Sequence, residues 1–343
     1  MMNSFLDQPL KASQIFAPSP EDEGYVPLPL YHLSPGWEVP FQVYVKLRLR
    51  DNPVAQLVLC CERHHTFEHK WYKKLTDLGI TTVYYPEVDE ESVLQYLTHN
   101  LSNFLGDKKL STQAKASRLG DVTIIWLRHF FREEKARTGQ LLNLALGYLD
   151  DLLELVLTGG ATSTFVLDLW RHDHDLYTHC LNICLVGLAF VSYLKWPRDQ
   201  IQAFGIGCLL HDIGMTQVHR DILRKDGQLD EEEWGQIKKH PVAGFQMLKS
   251  FATLKREIMF MVQQHHENGD GSGYPQGLKM AGIHPWARLL RILDSYEAIT
   301  APRRWRPARQ PKEALWVIKK DWQEKNIYDP TYLREFIKFL AAS

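Results

Sequence analysis

The spacing of hydrophobic residues changes along this chain, from alternation in the first third to helical periodicity in the rest. Hydrophobic and polar residues alternate through residues 41–49, and a second apolar run covers residues 54–61. Two such stretches around the turn signal Asp51-Asn52-Pro53 predict a β-hairpin. Residues 82–85 predict a third strand, because all four are β-branched or aromatic residues, which are enriched in strands.

Two helices are predicted beside these strands. One covers residues 67–78 and ends before Gly79, and the other covers residues 90–105 with Asp89 as its N-cap. We therefore assign residues 1–110 to a small α+β domain, for which a sensory or partner-binding role and a purely structural role are both open. Its residues 1–35 are rich in proline and acidic residues, which predicts an extended, mobile arm.

Residues 111–160 are assigned to a helical linker that ends at Gly159-Gly160. Five apolar residues recur there in steps of three and four positions: Leu142, Ala145, Leu149, Leu152 and Val156. This stripe is about two heptads long, so a helical hairpin within the chain and a short seam in a homodimer are both open. The helical pattern continues through residues 161–343, so the protein is predicted to be mainly α with an all-helical C-terminal domain. Its last two helices are predicted to begin near Pro311 and Pro330.

Composition narrows the functional classes. Of 343 residues, 45% are hydrophobic and 24% charged, and the net charge is −1. The composition is ordinary for a globular protein, and this charge gives no argument for a long nucleic acid or an acidic membrane surface as partner. No apolar run reaches the ~18 residues of a membrane span, and no secretory signal is evident. The five cysteines form no CxxC pair, so we expect reduced thiols, a cytoplasmic location and no membrane.

The stretch that carries chemistry covers residues 265–275, where His265-His266 run into a loop with three glycines that ends in Tyr274-Pro275. Glycine permits positive φ and a close approach of backbone to a ligand. Further imidazoles and carboxylates lie on or beside predicted helices: His179, His211, Asp212, His240 and Asp294. Imidazole and carboxylate without thiolate suit iron, manganese or zinc. The histidines at positions 64, 65 and 69 lie in a polar junction without a carboxylate cluster, and we assign no metal site there.

Four fragments together resemble a known family. In chain order they are His211-Asp212-Ile213-Gly214, Lys239-His240-Pro241, His265-His266-Glu267 and the run DGSGYPQGLK at residues 270–279. They resemble the HD-GYP subgroup of HD-domain phosphohydrolases, and the resemblance covers roughly residues 164–340. It implies a helical, metal-dependent phosphodiesterase domain of bacterial signalling, whose usual substrate is cyclic di-GMP.

The resemblance also implies roles for individual residues. The positions that match the family's metal ligands are His179, His211, Asp212, His240, His265, His266 and Asp294. Among them Asp212 stands at the bridging position, and His211 and Asp212 are assigned to catalysis. We expect two transition-metal ions, iron or manganese. A third ion is open, because Asp175 stands where some relatives have a glutamate ligand and its side chain is shorter.

Substrate contacts are assigned by the same resemblance. Arg303 and Arg306 fall where the family places basic residues against phosphates, although a solvated helix end explains the same arginines. Tyr274 is expected at the rim of the pocket, and Asp173 is assigned to the substrate as well. Two departures stand out: Met215 replaces the lysine of the His-Asp-x-Gly-Lys motif, and Glu297 replaces an aspartate.

Two functions follow as hypotheses. The first is hydrolysis of cyclic di-GMP to pGpG and GMP by a metal-bridging hydroxide, slowed by the loss of the lysine at Met215. The second is a catalytically impaired module that binds a cyclic dinucleotide or docks a partner such as a GGDEF cyclase. Another phosphorylated substrate, including a mixed cyclic dinucleotide, is a third alternative.

Overall fold

The chain divides into two units, residues 1–107 and 108–343. The computed structural model describes residues 24–48, 55–132, 139–170, 175–225, 227–301 and 307–342. All strands among these residues lie in the first unit, and the second is helical. This confirms the prediction of a mainly α protein that begins with an α+β part.

The first unit is built on an antiparallel sheet in the order β1-β6-β3-β4, and β2 pairs separately with β5. Its elements are β1 (Tyr25–Pro29), β2 (Glu38–Val39), β3 (Val43–Arg48), β4 (Ala55–Cys61), β5 (His65–Thr66), α1 (His69–Asp77), β6 (Thr82–Pro86) and α2 (Glu90–Gly106). The predicted hairpin is β3 with β4, and the predicted third strand is β6. Gly79 follows α1 with φ +71°, a conformation in which glycine is unstrained.

The expected arm over residues 1–35 is wrong for the described residues 24–35. Residues 25–29 form β1, which buries Val26 and Leu28. Pro27 and Pro29 contribute to the proline-rich composition that predicts an arm. Among the described strands, however, β1 lies at the edge of the sheet and pairs with β6 alone, and an edge strand tolerates proline because one row of its N–H groups needs no partner. Residues 1–23 lie outside the described part.

The second unit consists of helices. They are α3 (Thr112–Arg132), α4 (Gly139–Thr158), α5 (Ser163–Asp168), α6 (Leu176–Tyr193), α7 (Arg198–Leu210), α8 (Arg220–Arg224), α9 (Glu231–Ile237), α10 (His240–Leu248), α11 (Arg256–Gln264), α12 (Pro285–Thr300), α13 (Pro311–Lys325) and α14 (Pro330–Ala341). Helices α13 and α14 begin at the prolines that the sequence indicated. Helix α9 has the capping box of Asp230 and Glu233.

Helix α6 is the centre of the second unit. It packs against α3, α4, α5, α7, α12 and α14. By length and composition alone it is also apolar enough to cross a membrane, but 72% of it is buried inside the unit. Its apolar character is therefore that of a core helix, which is hydrophobic around its whole circumference.

The segment that we expected to be a separate linker, residues 111–160, belongs to the second unit. Helices α3 and α4 pack against each other and against α6, and α4 also packs on α7. The five apolar residues of the α4 stripe are all buried. Because these residues are buried by helices of the same chain, the stripe is the inner face of a helical hairpin.

Candidate metal centre

His211 and Asp212 lie where α7 ends and a 3-10 turn, Ile213–Gln217, begins. The His211 side chain is fully buried, and its Nδ1 lies 2.8 Å from the carbonyl oxygen of Cys208. The turn packs on α10 so closely that a Cβ atom on Gly214 would overlap the backbone of His240. Glycine is therefore required at this position for the turn to hold Asp212 beside His240.

His240 and His265 have the same arrangement as His211. Nδ1 of His240 lies 2.8 Å from the carbonyl oxygen of Ile237, and Nδ1 of His265 lies 3.0 Å from that of Val262. A carbonyl only accepts, so each Nδ1 carries the proton and each Nε2 presents a lone pair. These two Nε2 atoms face each other at 3.0 Å and lie 3.1 and 3.3 Å from Oδ1 of Asp212. Several atoms that can bind a metal ion thus converge on one point.

Buried acceptors without donors are the sign that a cation fits this site. Nε2 of His211 and Oδ1 of Asp212 are buried, and neither has a hydrogen-bond partner among the described residues. An unsatisfied buried acceptor is costly in free energy, and nearly all such groups in proteins are paired. A metal ion would satisfy these lone pairs at once, and imidazole with carboxylate is a donor set that transition metals accept.

The seven predicted ligands fall into two groups. Within each group the candidate ligand atoms lie within 4.8 Å of one another: Asp212, His240, His265 and His266 in the first, and His179, His211 and Asp294 in the second. Asp212 also turns towards the second group. Its Oδ2 lies 3.6 Å from Nε2 of His211 and 3.7 Å from Nε2 of His179, whereas its Oδ1 faces the first group. One carboxylate therefore presents a separate oxygen to each group.

His179 is held by a carboxylate that we had noted only as a departure from the family. Oε2 of Glu297 lies 2.7 Å from Nδ1 of His179, and Oε1 of Glu297 accepts from the amide of Asn182 at 3.2 Å. Nε2 of His179 points the other way, 3.4 Å from Oδ1 of Asp294. Burial alone would lower the pKa of His179, but the carboxylates of Glu297, Asp294 and Asp212 outweigh it and raise the pKa to about 10. The proton on Nε2 must therefore leave before this atom can bind a metal ion.

Four further groups are already in the forms that bind cations. Burial lowers the pKa of His211 to about 4 and holds that of His266 well below its usual value. Burial would raise the pKa of the Asp212 carboxyl, but the neighbouring imidazoles of His211 and His240 keep it well below the ordinary range. Burial would also raise the pKa of the Asp294 carboxyl, but its hydrogen bond with His179 and the nearby imidazole of His266 lower this pKa. The neutral imidazoles of His211 and His266 therefore face ionised carboxylates.

The glycine loop after His266 is organised by Glu267, whose role the sequence reasoning missed. This carboxylate is 1% exposed and accepts from the backbone N–H groups of Gln276 and Leu278 at 2.7 and 2.8 Å. Gly273 is needed because a Cβ there would overlap the backbone of Asn268. The loop places the ring of Tyr274 on that of His266, with the centroids 4.8 Å apart and the planes 27° from parallel. In the sequence, the feature that indicates this role of Glu267 is its position directly before a glycine-rich turn.

Some predicted site residues are not brought to the two groups. Asp175 is the N-cap of α6, where its exposed carboxylate accepts from the N–H of Thr178 at 2.7 Å, so it is a helix cap and not a member of either group. A short carboxylate beside free N–H groups is well suited to that use. Asp173, Arg303 and Arg306 lie outside the described residues. Arg291, which we did not single out, lies on α12 with Nη1 3.8 Å from Oδ2 of Asp294.

Three comparisons with known proteins bear on this unit. Residues 185–332 match the HD domain family. Over 205 residues the chain is 31% identical to a cyclic di-GMP phosphodiesterase of Pseudomonas aeruginosa, an alignment that covers 59% of this chain and 49% of that protein. A 3'3'-cGAMP-specific phosphodiesterase of Vibrio cholerae is 37% identical over 113 residues, or 33% of this chain and 24% of that protein. The chain thus spans about half or less of the length of these curated relatives.

A solved structure is similar over a longer stretch. It is that of an HDG"Y"P protein from Bdellovibrio bacteriovorus, with a TM-score of 0.65 and 20% sequence identity. The superposition covers 93% of this chain and 99% of the other. At this identity the likeness concerns the fold.

Proposed function

The chain belongs to the HD-GYP domain proteins, and on that basis we propose that its second unit is a metal-dependent phosphodiesterase that hydrolyses cyclic di-GMP to pGpG and then to GMP. The observation that carries the proposal is the position of Asp212, with one oxygen towards each of the two ligand groups. A carboxylate in that position suits a pair of cations, for which we propose iron or manganese. Two such ions, when bound, supply an activated water molecule and neutralise charge on the phosphate.

The chain's own groups prepare the site for that reaction. Backbone carbonyls hold the Nδ1 protons of His211, His240 and His265, which keeps the three Nε2 atoms available as ligands. Glu297 does the same for His179 with a charged acceptor. These outer contacts fix the direction of each ring, so that little reorganisation is needed when metal ions bind.

The substrate and the partners are proposed on separate grounds. Arg303 and Arg306 are proposed to contact phosphate oxygens, a contact for which the guanidinium group is well shaped, and Asp173 is proposed to contact the substrate. A GGDEF cyclase or a second copy of the chain is the proposed protein partner. The five cysteines are free and buried, which supports the proposed cytoplasmic location.

A second candidate function rests on Met215. Its backbone N–H donates to the carbonyl oxygen of Asp212 at 2.9 Å, so the methionine, at the position where the family has lysine, stands one turn after the residue whose carboxylate faces both groups. A thioether cannot donate a hydrogen bond to a phosphate oxygen or a leaving group. Tight binding of a cyclic dinucleotide with little turnover is therefore the alternative.

The test starts from protein purified without oxygen or chelators and reconstituted with iron or manganese. Elemental analysis should find at least two metal ions per chain, and chromatography should show cyclic di-GMP converted to pGpG and GMP. Asp212→Asn, which keeps the volume of the side chain, should lose metal and turnover together, whereas Asp221→Asn on the exposed helix α8 should change neither. Less than one metal ion per chain after reconstitution would exclude the dinuclear site. Full metal content with bound but unhydrolysed cyclic di-GMP would favour the receptor.

A further inference from the structure

Trp234 is a large aromatic side chain that the fold leaves 45% exposed. It lies on α9, one turn before Ile237, and residues three apart share a helix face. The carbonyl oxygen of Ile237 accepts from Nδ1 of His240 at 2.8 Å. The helix that orients a candidate metal ligand therefore also presents the indole ring near it.

A series of rings connects the candidate ligands to Trp234. The ring of Tyr274 stacks on His266 at 4.8 Å and lies 6.3 Å from the ring of His240. The indole of Trp234 follows, 6.4 Å from Tyr274 at an interplanar angle of 78°. A perpendicular contact occupies an edge or one face of the indole, and the exposed fraction leaves aromatic surface for another planar group.

Helix α9 is firmly held, although it is short. The carboxylate of Asp230 accepts from the N–H of Glu233, and that of Glu233 accepts from the N–H of Asp230, both at 2.9 Å. Lys225 adds bonds of 2.7 and 2.6 Å to the Glu233 carboxylate. Trp234 follows Glu233 directly, so its backbone is fixed before any ligand arrives. A side chain on a fixed backbone loses less conformational entropy on binding than one on a mobile segment.

We propose that Trp234 is a substrate-binding residue that stacks on a nucleobase of the cyclic dinucleotide while a phosphate lies at the two ligand groups. The inference rests on the proposed function and adds to it how the base is held. Every nucleobase has a flat π-face, so an exposed indole accepts one without regard to its hydrogen-bonding edges. Loss of such a contact lowers affinity by about 5- to 150-fold per base.

The experiment separates the base from the phosphate. Dissociation constants of GMP and of ribose 5-phosphate, which lacks the base, are measured by calorimetry on the metal-loaded full chain. Wild type should prefer GMP by about 5- to 150-fold. Trp234→Ala should bring the preference close to unity, and Trp234→Phe should retain most of it. The matched control is Trp316→Ala on α13, because Trp316 is 64% exposed and its ring lies under Nζ of Lys320 instead.

Two results would overturn the assignment: a wild-type protein that binds both ligands equally, or a preference for GMP that survives Trp234→Ala. The proposed function is assayed in parallel as wild-type hydrolysis of bis(p-nitrophenyl) phosphate and of cyclic di-GMP. Absence of hydrolysis with an intact, Trp234-dependent preference would refute the enzyme and leave the stacking role standing. Brisk hydrolysis, together with a preference for GMP that Trp234→Ala leaves unchanged, would support the enzyme and refute the stacking role.

Discussion

Glu297→Gln isolates a contact that acts on the metal centre from outside the predicted ligand set. Glu297 is 3% exposed and receives two donors, Nδ1–H of His179 at 2.7 Å and the amide of Asn182 at 3.2 Å. Glutamine keeps the shape but has only one acceptor oxygen, and its NH₂ group then faces one of the two donors. Of the two contacts, one survives as a neutral hydrogen bond and the other becomes an unsatisfied pair.

The size of the effect follows from these contacts. A hydrogen bond to a charged group contributes about 1.5–3 kcal/mol, and loss of a carboxylate that orients a ligating histidine costs about 10- to 100-fold in metal affinity. We therefore expect Glu297→Gln to weaken metal binding by about 10- to 100-fold. The metal affinity of Glu297→Asp should fall between those of wild type and Glu297→Gln. A side chain one methylene shorter cannot reach both donors without a shift of α12.

The assay is a competition titration of the metal-free protein against a chelating dye, with hydrolysis measured separately. Glu232→Gln is the matched control, since this glutamate is exposed on α9. Metal affinity within twofold of wild type in Glu297→Gln, alongside a large loss in His179→Ala, would show that the carboxylate does not position the imidazole.

Two further predictions concern residues beside the site. Met215→Lys should raise kcat by about 10²- to 10³-fold with little change in affinity for cyclic di-GMP, because a donor that acts mainly in the transition state affects the rate. Brisk turnover by the wild-type protein, with a neutral or harmful effect of Met215→Lys, would contradict this. Asp175→Ala should lower the free energy of unfolding by about 0.5–2 kcal/mol through loss of the α6 cap and leave metal content unchanged. Denaturant titration checks the unfolding free energy and elemental analysis checks the metal content. Asp175→Asn is the control that keeps a cap. A fall in metal content in Asp175→Ala would instead support Asp175 as a ligand of a third metal ion.

Local rules in the sequence predicted where the last two helices of the second unit begin. Pro311 and Pro330 begin α13 and α14, as predicted. These features depend on residues within one helical turn of each other, so neighbouring letters are enough to indicate them. The histidine and aspartate motifs could also be recognised in the sequence, because several of their members are adjacent in the chain.

The prediction failed where burial decided the outcome. Residues 24–35 have the prolines of a mobile arm, yet β1 forms because it can pair with β6, about 60 positions away in the chain, and bury Val26 and Leu28. The α4 stripe suited two partners equally, and packing against α3, α6 and α7 selected the intramolecular one. Hydrophobic periodicity marks which face is buried but not what covers it.

The sequence by itself determined which residue types are available to the candidate centre and on which helices they lie. Only the tertiary structure decided how they meet: that Asp212 turns one oxygen to each ligand group, that Glu297 reaches His179 from 118 positions away, and that Trp234 stands near the ring of Tyr274. Each of these contacts joins side chains on different helices or loops. Their distances are set by how those elements pack, which no spacing along the chain specifies.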